Sequence, residues 1–269
     1  MLFTDSKLKI IEDKVINNQR LSFEDGVILF NSTDLLGIGY LANIVRERKN
    51  GNSAYFITNR HINHTNICVK RCCFCAFSKD KGEEGAYEMS IDDVVGAVGG
   101  HRVSEFHIVG GLHPDFPFQY YLDMLRILHR EYPDVHIQGF TAVEIDYLSG
   151  IAGLSIKDTL IKLRGAGLGS LPGGGAEIFA ERVRKKICPE KLSGEEWLNV
   201  HRTAHQIGMR SNATMLYGHI ETVEERIDHL IKLRELQDET GGFMSFIPLA
   251  FHPKNTELDS ISKTTGNLD

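Results

Sequence analysis

No run of apolar residues in this chain approaches the roughly 18 needed to cross a bilayer. The N-terminal stretch MLFTDSKLKIIEDKVINNQ also lacks the uninterrupted apolar centre of a signal peptide. A soluble, cytoplasmic protein is therefore expected, with no membrane partner. Positive charge is not in excess: 36 acidic against 30 basic residues leave a formal charge of −6. No basic block interleaved with aromatics is present to track phosphates, so nucleic acid is not an expected partner. A disulfide framework is lacking as well. Four of the five cysteines, Cys68, Cys72, Cys73 and Cys75, fall within eight positions and only Cys188 lies elsewhere, whereas a framework spreads its thiols to tie distant segments together. Reduced thiols that bind something are the better reading.

What is present is an ordinary globular composition, 42% hydrophobic over 269 residues, enough for one large domain or two small ones. Residues 1–52 read as a helical preamble. Leu8, Ile11 and Val15 recur at helix spacing, Ser22 opens a Ser-x-x-Asp cap, and Leu35, Leu36, Gly39 and Leu41 belong to a third segment. From Ala54 short β-prone runs alternate with longer amphipathic stretches, without a Pro/Ser-rich linker. Strands are predicted at Ala54–Thr58, Glu105–Val109, Val135–Ala142, Gly169–Leu171, Ser211–Leu216 and Phe243–Leu249. Capping boxes open several of the intervening helices, Ser90 with Asp93, Ser193 with Glu196 and Thr222 with Glu225. Either a doubly wound sheet or a (β/α) barrel fits this alternation, and both bind ligands at the carboxyl ends of the strands. Gly110-Gly111, Gly173-Gly174-Gly175, Gly218 and the cysteine loop each follow a predicted strand. A mouth fed by so many strands favours a barrel, made partial by having about six βα units. Residues 53–256 form this core and 257–269 a short final segment.

Cys68, Cys72 and Cys75 form Cys-x3-Cys-x2-Cys with Phe74 just before the last cysteine. Three thiolates so close can wrap one face of an iron–sulfur cube, leaving the fourth iron without a protein ligand. A structural zinc knuckle, with His64 or Cys73 as fourth ligand, is the alternative. Cys188 reads as a small buried hydrophobe.

This motif after a first strand resembles the radical S-adenosylmethionine (SAM) superfamily. The resemblance implies a [4Fe–4S] cluster, SAM as co-substrate, and a partial or full (β/α) barrel. Further stretches narrow it: Asn63-His-Thr-Asn-Ile-Cys, Phe106-His-Ile-Val-Gly-Gly-Leu-His-Pro114, Leu171-Pro-Gly-Gly-Gly-Ala-Glu-Ile178, Ala213-Thr-Met-Leu-Tyr-Gly-His219 and Ile247-Pro-Leu-Ala-Phe-His-Pro253. From about Tyr55 to Thr256 the chain resembles the aminofutalosine synthases of the futalosine route to menaquinone. Dehypoxanthine futalosine cyclases and the tyrosine-dependent synthases of deazaflavin biosynthesis share much of the pattern, and His113 favours the synthases. Members of that family continue past the Phe-His-Pro segment, so the resemblance implies that C-terminal units are missing and that activity is impaired.

The resemblance also implies site residues. Gly110 and Gly111 would let the methionine part of SAM approach the backbone, and Phe74 and Glu144, placed at the end of the third strand, would contact the cofactors. Glu177, His113 and His252 would act at the mouth, the histidines by holding a dicarboxylate enol ether or moving a proton. Arg60, Lys70 or Arg71 would supply positive charge for that substrate. A one-electron donor such as flavodoxin or ferredoxin is the implied partner. Each residue also has a plainer reading: a turn for the glycines, a helix-leading acid for Glu144 and Glu177, a structural role for the histidines, a solvated face for the cations.

Overall fold

The helical spacing of Leu8, Ile11 and Val15 is realised in the computed structural model, which describes residues 3–99 and 102–258. Three helices, α1 (Leu8–Ile16), α2 (Phe23–Asn31) and α3 (Leu35–Asn50), come first. Ser22 and Asp25 cap α2 reciprocally, each side chain accepting from the other's backbone N–H. Phe3, Leu8, Ile11, Val15 and Leu41 form a small apolar core of their own. The described residues up to Phe56, with Thr222–Ile231, make one compact unit; those of Ile57–Glu221 with Lys232 onward make the other.

In the second unit strands and helices alternate. The strands are β1 (Asn59–Ile62), β2 (Glu105–Ile108), β3 (His136–Gly139), β4 (Ser170–Leu171), β5 (Arg210–Tyr217) and β6 (Phe243–Ala250). Between them run α4 (Ile91–Val98), α5 (Phe118–Glu131), α6 (Ala142–Ala152), α7 (Ile156–Gly165), α8 (Glu181–Ile187) and α9 (Gly194–Gln206), with α10 (Val223–Thr240) before β6. All neighbouring strands pair in parallel, in the order β1-β2-β3-β4-β5-β6. A doubly wound sheet needs a point where strand order reverses. With none, right-handed crossovers all turn to one side, so the helices cover one face and the sheet curls around the other as a half-barrel. The covered face carries the main core, with Phe106, Ile108, Ile137 and Leu171 of the strands buried against the helices and Trp197 of α9 among the residues packed there.

Two boundaries differ from expectation. The first strand is Asn59–Ile62 and not Ala54–Thr58; Tyr55, Phe56 and Ile57 are exposed. β-Propensity at 54–58 loses to pairing, because the register runs from Asn59 opposite Glu105 to Ile62 opposite Ile108. The third strand stops at Gly139. Phe140 takes a positive φ of 59° and Thr141 caps α6, which moves Glu144 from a strand end into the first turn of a helix. The predicted caps at Ser90, Ser193 and Thr222 all form. No helix among the described residues is long and apolar enough to cross a membrane. Of the final segment, 259–269 lies outside the described residues.

Candidate functional site

The cysteine loop leaves β1 and is seated on the turn that follows β2. Gly111 N–H donates to Thr65 O at 2.9 Å and Val69 N–H to Leu112 O at 3.0 Å. A Cβ on Gly111 would lie 2.2 Å from Ile67 O, and one on Gly110 would lie 2.5 Å from the His64 ring. The Gly-Gly pair is thus required by the chain's own loop, whatever else approaches it. Asn66 holds the far limb, its Nδ2 donating to Gly85 O and its Oδ1 accepting from Tyr87 N–H.

Cys68, Cys72 and Cys75 line one cavity of about 220 Å³, together with Gly110, Gly111 and Glu144. Cys73 does not. Its thiol points to Lys186 O at 3.7 Å while its N–H donates to Ile187 O at 2.9 Å. This division fits a group held by three thiolates, and it leaves a zinc knuckle without its fourth ligand. His64, the other candidate, is buried edge-on to Tyr121 at 5.5 Å, and burial pulls its imidazole down to about 4. Among the described residues no three His, Cys, Asp or Glu side chains converge as a single ion requires; ligands to different corners of a cube need no common point. Burial pushes the Cys72 thiol up to about 12, and bound iron reverses that preference by favouring the thiolate. Cys188 is buried among Val183, Ile187 and Phe251.

Glu144 sits at the third position of α6, its carboxylate accepting from Gly110 N–H at 3.0 Å and Thr141 N–H at 2.7 Å. It couples the turn after β2 to the helix after β3. Burial raises its carboxyl to about 7, although those hydrogen bonds oppose the shift. The Thr-x-x-Glu signature at 141–144 was available in the sequence as a fourth capping box in the barrel.

Glu177, at a positive φ of 45°, is buried and paired with Lys191 at 2.8 Å. Lys191 lines the cavity and stands 4.9 Å from the centre of the Phe74 ring. Burial works against its ammonium, but Glu177 more than offsets this and holds it above the usual lysine range. Sequence reasoning missed Lys191: nothing in Pro189-Glu-Lys-Leu192 marks it, and it reaches the cysteine loop only through the fold. Asn63 is a second omission, on the cavity wall with a buried Oδ1 that has no partner among the described residues.

The remaining expected residues are dispersed. His113 is buried away from the cavity, bonded through Nε2 to Glu88 at 2.7 Å and through Nδ1 to Asp115 N–H, and stacked on Phe116. Accepting at Nδ1 leaves the proton on Nε2, donated to Glu88. His252 is exposed beyond β6. Arg60 lies on the helix side of β1, donating to Ala97 O, so it is not beside the cysteines. Arg71 is taken up by Asp80 and Glu83. Lys70 alone of the three expected cations lines the cavity.

A model of the radical SAM superfamily matches residues 62–233. Aminodeoxyfutalosine synthase of Thermus thermophilus is 52% identical over 257 residues, 94% of this chain and 69% of that protein. The Streptomyces coelicolor protein of the same name is 48% identical over 244 residues, 90% of this chain and 63% of its own length. A 5-amino-6-(D-ribitylamino)uracil–L-tyrosine 4-hydroxyphenyl transferase of Methanoculleus marisnigri is 41% identical, covering 93% of this chain and 70% of that one. The chain thus spans about two thirds of these relatives. Among solved structures, methylornithine synthase superposes with a TM-score of 0.73 at 19% identity, covering 96% of this chain and 72% of that one, which speaks for the fold alone.

Proposed function

The chain belongs to the radical SAM superfamily of enzymes, and on that premise we propose that it joins the 5′-deoxyadenosyl group of SAM to 3-[(1-carboxyvinyl)oxy]benzoate, giving 6-amino-6-deoxyfutalosine for menaquinone biosynthesis. The observation that carries the reading is the gathering of Cys68, Cys72 and Cys75 with the Gly110-Gly111 turn on one cavity, in a chain half identical to curated synthases.

Members of the superfamily use a [4Fe–4S] cluster and SAM. When bound, the cluster would supply one electron for the reductive cleavage of SAM. Cys68, Cys72 and Cys75 are the residues to hold it. The chain's own task is positioning and exclusion. Val109, Leu112, Val143 and Phe77 give the cavity apolar walls that keep water from a reacting carbon. Glu144 holds the Gly110 amide and so the floor of the turn. Lys70 and Lys191 bring positive charge to a chain that is acidic overall, and an external one-electron donor completes the system.

Anaerobic incubation with SAM, dithionite and the enol ether, followed by mass analysis of the nucleosides, tests the proposal. Aminodeoxyfutalosine and free methionine are the expected products, with carbon dioxide from the lost carboxylate. Cys68→Ala, Cys72→Ala and Cys75→Ala are expected to lose iron, and Cys73→Ala to keep it. A second reading, transfer of a tyrosine-derived 4-hydroxyphenyl group, is favoured by the 41% identity to the methanogen transferase. Product formation from tyrosine and the ribitylaminouracil, with none from the enol ether, establishes it instead.

A further inference from the structure

Alternation along the strands sends Phe106, Ile108, Ile137, Leu171 and Ala213 into the core beneath the helices, so the residues between them face the concave side of the half-barrel. Each strand places a polar residue there: His61, His107, Gln138, Ser170, Asn212 and Ser245. Pairing sets His61 beside His107, His107 beside Gln138, and Gln138 beside Ser170. The side chains are also joined. The two histidine rings lie 4.6 Å apart. Gln138 Nε2 donates to Ser170 Oγ at 3.2 Å, Asn212 Nδ2 to Gln138 Oε1 at 3.3 Å, and Ser245 Oγ to Asn212 Oδ1 at 2.8 Å.

A barrel interior that served stability alone would be filled by branched apolar side chains; here Gln138 and Ser170 are buried, His107 and Asn212 half-buried, and His61 and Ser245 exposed, so this face is polar and open to a ligand. The position of this half-ring indicates which one. The next residues on the same face toward the mouth are Asn63 and Val109, two on from His61 and His107, and both line the cavity beside the cysteines. Two strand residues span about 6.6 Å, so the half-ring is the layer directly beneath that cavity. A benzoate ring with its ether oxygen is of comparable length.

We propose that the half-ring binds the aromatic carboxylate of the substrate, His61 and His107 donating from their ring nitrogens and the Asn212 and Gln138 amides completing the grip. The proposal rests on the reading of the reaction given above. Burial and the neighbouring His61 disfavour a charged His107, and an anion accepting from the outward ring N–H groups of both histidines opposes both effects. The acid on this face, Glu105, stands one layer further from the cavity beside His136, and burial raises its carboxyl. The carboxylate seated in the half-ring leaves the enol ether pointing up at the cysteine loop.

The test uses the cluster-loaded chain with SAM and compares binding of 3-hydroxybenzoate with that of its neutral amide, 3-hydroxybenzamide, by calorimetry. The wild type is expected to prefer the acid at least tenfold. His61→Asn, His107→Gln and Asn212→Leu are expected each to reduce that preference to twofold or less, with iron content and SAM affinity unchanged. A structural defect weakens both ligands alike and leaves the ratio, which overturns the proposal, as does a wild type that does not discriminate. Should His107→Gln fail to fold, His61→Asn, on an exposed position, decides alone. No turnover of the enol ether together with a collapsed ratio removes the reaction and keeps the half-ring; turnover with an unchanged ratio does the reverse.

Discussion

Glu144 shows how much one side chain does in this site. Its carboxylate serves two loops, and burial holds its folded pKa near 7 against an ordinary value of 4.5. The folded state therefore binds the proton more tightly than the unfolded one. The stability from this group is full below pH 4.5 and is lost as the pH rises to about 7. Glu144→Gln removes the titration. The unfolding free energy of wild type relative to the variant should fall by about 3 kcal/mol between pH 4.5 and 7.5, read by urea denaturation across that range; equal slopes would count against the assignment. Lys191 makes a similar case through charge. Lys191→Met strands a buried Glu177 and is expected to cost about 3 kcal/mol, whereas Lys191→Met with Glu177→Leu should recover most of it in the same denaturation experiment.

At the scale of elements, the site is a junction between the loop after β1 and the turn after β2. Gly111 is the contact point, because any side chain there meets the Ile67 carbonyl. Gly111→Ala is predicted to unseat the cysteine loop while leaving the strands in place. Iron retained after anaerobic reconstitution should drop to less than half of wild type with the far-ultraviolet circular dichroism unchanged; full iron content would show that the loop can move aside. The capping boxes at Ser90, Ser193 and Thr222 were readable beforehand because a cap is a four-residue event. The first strand was misplaced because Asn59–Ile62 has little strand character of its own and owes its conformation to β2.

At the scale of the molecule, β1 and β6 are the outermost strands among the described residues. β6 is eight residues long, with Met244, Phe246, Ile247 and Leu249 more than 40% exposed. Long apolar edges pair with one another. This chain is expected to self-associate with rising concentration in sedimentation velocity. Phe246→Lys, on the side opposite Ser245, should suppress that without changing iron content, and matching profiles for the two proteins would refute the expectation.

The gathering of three cysteines in one loop, the glycine turns and the βα alternation could be read in advance because each is written in a short stretch of chain: residue spacing, chain reversal and hydrophobic rhythm are local properties. Lys191 beside Phe74, Glu144 beneath Gly110, and the diversion of His113 to Glu88 could not be. Each joins residues far apart in the chain. The polar half-ring is the clearest instance, since its six members come from six strands: register aligns His61, His107, Gln138 and Ser170, and side-chain hydrogen bonds bring in Asn212 and Ser245.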